Sequence, residues 1–148
     1  TIWKIARELG IEGKLRLMGK NIALQGEIIG NGIQKNPLRL ENTKILFFNA
    51  FNIDKYSYLD YADFKALIDE LGLESVPIID TNYELTDDID ELVKLATANS
   101  IINPKIYREG IVIRSLIEKF DMQLSQGFGN GRVSFKAVNP LYLLKYDA

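Results

Sequence analysis

Residues 44 to 53 read Lys-Ile-Leu-Phe-Phe-Asn-Ala-Phe-Asn-Ile, and this run decides the fold. It is short, rich in Phe and Ile, and ends at Asp54, which favours a strand over a helix. Strict alternation puts Phe47, Asn49, Phe51 and Ile53 on one face and Leu46, Phe48, Ala50 and Asn52 on the other. Both faces are mostly apolar, as a covered sheet requires. Moving toward the N-terminus, Asn21 to Ile29 is a second apolar run closed by Gly30-Asn31-Gly32, a buried strand followed by a glycine turn. Before it, Ile2, Ile5, Leu9, Leu15 and Leu17, widened by Trp3 and Ala6, form a helical stripe interrupted near Gly10 or Gly13.

Moving the other way, Tyr61, Phe64, Leu67, Ile68 and Leu71 recur at helical spacing over residues 60–71, with Gly72 as the stop. A short strand is predicted at Val76 to Ile79. Thr86 then offers an N-cap to a helix whose buried stripe is Ile89, Leu92, Val93 and Ala96. Residues 110–116 and 132–138 read as two further strands around a loop containing Gly127, Gly129 and Gly131. In the second, Arg132, Ser134 and Lys136 alternate with Val133, Phe135 and Ala137. With no repeat, low-complexity tract or flexible linker, the expectation is one α+β unit of antiparallel sheets flanked by helices.

A chain of 148 residues and 16.8 kDa is long enough to bury roughly two-thirds of its unfolded surface. Its composition, 47% hydrophobic and 26% charged, is that of an ordinary globular protein. There is no Cys, which excludes disulfides, thiolate zinc sites and cysteine nucleophiles, and no His, which removes imidazole as base or ligand. Acid–base and charge chemistry must therefore fall to carboxylates, Lys, Arg or Tyr. No run approaches the ~20 apolar residues of a membrane span, and no charged leader precedes an apolar stretch, so a cytoplasmic setting is expected. The first residue, Thr1, is not Met, consistent with a processed or truncated chain.

The formal charge of −2 hides an asymmetry. Residues 54–98 hold 12 acidic and 3 basic residues, leaving 15 basic and 8 acidic elsewhere. An acidic helical insertion beside a basic remainder suits a polyanionic partner, although a solvated acidic helix face gives the same count.

Four charged positions are hard to explain by folding alone. Glu27 lies inside one apolar strand, Glu109 opens another, Arg114 lies near the end of that strand, and Lys136 sits mid-strand beside Ser134. Burying such groups unpaired costs several kcal/mol, so they imply mutual pairing, an exposed edge, or a charged ligand site.

The motifs around these positions resemble those of the covalent nucleotidyltransferases: ATP-dependent RNA and DNA ligases and mRNA capping enzymes. The likeness is greatest to ATP-dependent RNA ligases of the phage and Deinococcus nick-sealing type. Residues 24–36, Leu-Gln-Gly-Glu-Ile-Ile-Gly-Asn-Gly-Ile-Gln-Lys-Asn, resemble the family's Gly-Glu strand and its Gly-Ile-Gln turn. Residues 47–53 resemble motif III, which carries an aromatic ring. Arg108 to Arg114 resembles motif IV, and Ser134 to Asn139 resembles motif V. The blocks occur in family order.

The resemblance implies an incomplete nucleotidyltransferase (ATP-grasp-like) ligase domain, of which residues 1–148 form the C-terminal part. It implies ATP and Mg²⁺ (or Mn²⁺) as cofactors and RNA with 5′-phosphate and 3′-hydroxyl ends as partner. Glu27 would contact ribose, Phe51 would stack on adenine, Glu109 would bind the metal, and Lys136 would touch the α-phosphate, making Glu109 and Lys136 the catalytic pair. Arg114 is a candidate for nucleic-acid phosphate or for pairing with Glu109; Gln34, Lys35 and Asn36 are candidates for RNA contact.

This sequence departs from the pattern twice. The family's nucleophile is the Lys of a Lys-x-Asp-Gly motif, and none occurs in these 148 residues; the expectation is that about the first third of the domain is missing. A second motif V lysine often follows two residues after the first, where Val138 stands; Lys145 does not match that spacing. Two rivals stay open: a non-catalytic nucleotide- or RNA-binding module, and a DNA ligase or capping-type enzyme.

Overall fold

The computed structural model describes residues 2–126 and 130–146. Gly127 and Gly129 of the expected glycine loop lie outside the described residues. The chain divides into two compact units, Thr1–Val76 and Pro77–Ala148.

The first unit opens with helices α1 (Ile2–Glu8) and α2 (Ile11–Met18), separated at Gly10, whose φ of 63° no other residue type adopts so cheaply. Of the two glycines considered, Gly10 is the break; Gly13 lies within α2. Strands β1 (Ile22–Ile29), β2 (Lys44–Asn52) and β3 (Ser57–Tyr58) form an antiparallel sheet in that order. Helix α3 (Tyr61–Glu70) covers it, and Phe64, Leu67 and Ile68 pack into one cluster with Ile22, Phe47 and Ala50.

The placement of Phe47 and Ala50 corrects the expected face pattern of β2. Gln25 pairs with Asn49 and Gly26 with Phe47, so Phe48 is left over as a β-bulge. One extra residue resets the two-residue period. Phe47 and Ala50, assigned by strict alternation to opposite faces, therefore both enter the core. On the other side of the sheet, Ala23, Gln25 and Glu27 are exposed, and their paired residues Phe51, Asn49 and Leu46 share that face.

The predicted strand at Val76 to Ile79 does not form. Phe47 N–H donates to Glu74 O (2.9 Å) and Val76 N–H to Phe47 O (2.8 Å), a single parallel bridge centred on Ser75. Pro77 follows and has no N–H with which to extend the ladder.

The second unit contains α4 (Ile89–Ala96), β4 (Gly110–Arg114), a 3₁₀ turn at Gln123–Ser125, β5 (Ser134–Val138) and α5 (Pro140–Tyr146). β4 and β5 pair antiparallel from Gly110↔Val138 to Arg114↔Ser134, and α4 packs against both. The N-cap of α4 is Asp88, not Thr86: its carboxylate accepts from the N–H groups of Asp90 (2.9 Å) and Glu91 (3.2 Å). Thr86 instead accepts from Asp88 N–H (3.1 Å), two residues before the helix. Both predicted strands of this unit are shorter than expected, and Arg132 pairs only as a single bridge with Phe120.

The acidic stretch 54–98 is shared between the units. α3 lies in the first unit, its apolar stripe being part of that unit's core, while α4 belongs to the second. Among the described residues no helix is long and apolar enough to cross a membrane.

Candidate functional site

In the first unit the candidate residues lie on the face of the sheet turned away from α3. Glu27 is exposed there, so it carries no desolvation cost and the argument from a buried strand carboxylate does not apply to it. Two places along, Gln25 Oε1 accepts from Asn49 Nδ2 (3.0 Å), fixing the polar middle of this face. Phe51 follows, half-buried. Its ring meets those of Tyr56 and Tyr58 edge-on, with centroids 5.3 and 5.1 Å away and planes at 84° and 78°. The core does not contain Phe51.

The turn after β1 is unusual. Gly30 has φ 114°, and a Cβ there would lie 2.1 Å from Asn42 O, so only glycine fits. Gln34, Lys35 and Asn36 follow with φ of 43°, 59° and 49°, three consecutive left-handed residues. Asn36 holds this shape: its Nδ2 donates to Leu40 O (2.8 Å) and its Oδ1 accepts from Leu40 N–H (3.0 Å). Asn36 thus serves the turn, while Gln34 and Lys35 are exposed on it.

In the second unit, Lys136 Nζ donates to Glu109 Oε1, joining two residues 27 apart in sequence. Their side chains are 54% and 56% exposed. An ion pair so open contributes at most about 1 kcal/mol to stability. Arg114 Nε donates to Ser134 Oγ (3.3 Å), its partner across the strands. Lys136, opposite Val112, lies on the same face as Arg114.

Residues not singled out from sequence position this pair. Asn139 is fully buried; its N–H donates to Glu109 O (2.8 Å) and its Nδ2 to Arg108 O (2.9 Å). Its Oδ1 caps α5 by accepting from Leu141 N–H (2.9 Å). Arg108 donates to the carbonyls of Leu95 and Ala96 at the end of α4, and burial pushes its guanidinium below the usual value. A Cβ on Gly110 would lie 2.2 Å from Ala137 O, so the glycine after Glu109 lets β5 approach. Farther along, Arg132 forms a two-point ion pair with Glu118, with only 12% and 22% of the side chains exposed. That pair is part-buried. The dipeptide Asn139-Pro140, a cap followed by a proline at the first helical position, was a legible signal for α5.

With this geometry in view, comparison with known proteins identifies the class. A family model described as RNA ligase matches residues 1–138, and the chain belongs to the RNA ligase family. It is similar to the Naegleria gruberi RNA ligase solved with PPi: 31% identity, TM-score 0.82, covering 98% of this chain and 40% of that one. Structures of two variants of that ligase, one with AMP and Mn and one with ATP and Mn, match with the same identity, coverage and TM-score. The chain thus spans about two-fifths of the length of these relatives. Comparison with curated proteins gives no match. The α+β architecture of antiparallel sheets flanked by helices is that of a nucleotidyltransferase ligase domain.

A divalent cation fits the chemistry of Glu109. Among the described residues no three Asp or Glu side chains converge on one point. Mg²⁺ in phosphoryl-transfer sites is commonly held by one or two carboxylates, with water and substrate phosphate completing the shell. Glu109 supplies one such carboxylate, half exposed.

Proposed function

We propose that the chain is part of an ATP-dependent RNA ligase that joins 5′-phosphate and 3′-hydroxyl ends through lysyl-AMP and adenylylated-end intermediates. The nucleophilic lysine would come from outside these 148 residues, since no Lys-x-Asp-Gly occurs in them. The motif blocks favour the phage and Deinococcus subtype.

In this reading Phe51 stacks on adenine and Glu27 binds ribose from the same sheet face. Lys136 exchanges the Glu109 carboxylate for an α-phosphate oxygen, offsetting charge that grows during transfer. Glu109, released from Lys136, would hold the Mg²⁺ or Mn²⁺, which when bound neutralises phosphate charge. Arg114, Lys35 and Gln34 face nucleic acid, with Asn36 setting the turn that presents the last two. The observation carrying the proposal is the Lys136–Glu109 pair, which brings together one residue from each of the stretches that resemble motif V and motif IV.

In the complete ligase, Lys136→Ala is expected to abolish labelling of the protein by [α-³²P]ATP while its thermal midpoint stays within a few degrees of wild type. Undiminished labelling would remove Lys136 from the site. A nucleotide- or RNA-binding module without catalysis accounts equally for the missing Lys-x-Asp-Gly. That rival predicts no covalent AMP on the wild-type protein either. Comparing RNA and DNA ends as acceptors separates the ligase from DNA-joining and capping relatives.

A further inference from the structure

The loop joining β2 to β3 holds a residue that its backbone does not favour. Asn52 pairs with Ser57 and Phe51 with Tyr58, so residues 53–56 form the turn, and its last member, Tyr56, has φ 52°. Glycine or asparagine is the usual occupant of such a position, because a Cβ crowds the neighbouring carbonyl. A bulky aromatic there is an outlier of the kind found where function overrides local preference.

The surrounding loop is clamped. Asn21 Nδ2 donates to Asp54 Oδ1 (3.1 Å), Ile53 N–H to Asn21 O (2.9 Å), and Lys55 N–H to Asn52 Oδ1 (2.9 Å). These bonds hold the turn in which Tyr56 must adopt its left-handed backbone. The core does not explain the residue, because Tyr56 is 85% exposed. Its ring instead stands edge-on to Phe51, at 5.3 Å and 84°, beside Tyr58 at 5.1 Å and 78°.

We propose that Tyr56 is a specificity-determining residue of the nucleotide site, forming a side wall beside the Phe51 platform that the adenine base packs against. This rests on the reading of Phe51 as the base-stacking residue. Phe51 alone offers a flat platform that any base can use. An upright ring beside it limits where the purine edge can sit, so it favours one base over another. Tyr58, in register with Phe51, completes the aromatic group from β3.

The test uses the complete ligase with Tyr56→Gly, Tyr56→Phe and Phe51→Ala. Tyr56→Gly replaces the disfavoured backbone with the favoured one, so its thermal midpoint is expected to equal or exceed wild type. Its KM for ATP in self-adenylylation is expected to rise about five-fold or more, with kcat at saturating ATP nearly unchanged and the preference for ATP over GTP reduced. Tyr56→Phe, which keeps the ring, is expected to restore the wild-type KM. If Tyr56→Gly leaves KM and ATP preference unchanged while Phe51→Ala raises KM, Tyr56 is not part of the site and the adenine platform stands. If neither variant moves KM, both the wall and the base-stacking assignment of Phe51 are overturned.

Discussion

Glu109 and Gly110 show how two adjacent residues divide the work of a motif. Glu109 carries the charge, and Gly110 carries none, yet the strand pair depends on it: a methyl group there would lie 2.2 Å from the Ala137 carbonyl oxygen. Since that neighbour is backbone in a paired strand, relief requires β5 to move. Gly110→Ala is expected to destabilise the protein by about 1–3 kcal/mol, the range for overpacking, read as a lower denaturant midpoint. An unchanged midpoint would mean that the strands do not approach so closely. Lys136 is the complementary case. Its side chain is half exposed, so its removal leaves packing intact and its effect is expected in AMP transfer. In the sequence Glu27, Glu109, Arg114 and Lys136 stand out as charges on apolar strands, whereas Phe51 is singled out only by the resemblance to motif III. The sequence did not single out Asn139 or Arg108 for positioning, since a buried asparagine and a turn asparagine look alike until the carbonyls around them are known.

At the scale of elements, the end of α3 was legible in the sequence. Leu73 N–H donates to Ile68 O and Gly72 N–H to Asp69 O, both at 3.0 Å, the paired bonds of a Schellman motif. Gly72 takes φ 60° there, and Leu73 and Ile68 meet in the core. Beyond Gly72 and its two chain neighbours, no heavy atom lies within 4 Å of where its Cβ would stand, so Gly72→Ala tests backbone conformation without steric overlap. It is expected to cost about 1–2 kcal/mol, visible as a thermal midpoint several degrees lower; a neutral result would place the helix end elsewhere. The start of α4 was misplaced by two residues because Thr86 and Asp88 are both good capping types, and only the backbone path decides which one reaches the free N–H groups. The strand predicted after Val76 failed because apolar β-branched residues need a neighbour with which to pair, and Pro77 offers no donor.

For the molecule as a whole, the charge asymmetry has a measurable consequence. The basic residues outside 54–98 include Lys35, exposed on the left-handed turn. If it contacts an RNA phosphate, Lys35→Ala is expected to weaken binding of the complete ligase to RNAs of different sequence alike, and to lower the slope of log K against log salt by about one. Lys65, already paired with Asp69 on α3, is the matched control and is expected to leave the slope unchanged. Equal slopes for wild type and Lys35→Ala would exclude that contact.

The sequence by itself determined the α+β class, the order of the motif blocks, the glycine turns and the chemistry available to a chain without Cys or His. These follow from residue type and short-range period, which act within a few positions. Tertiary structure alone decided that Phe48 bulges and sends Phe47 to the core, that Lys136 meets Glu109, and that Asn139 ties the start of β4 to α5. The reason is register: a strand fixes which side chains alternate, but its partner fixes which residue lies opposite, and one extra residue reverses every face beyond it.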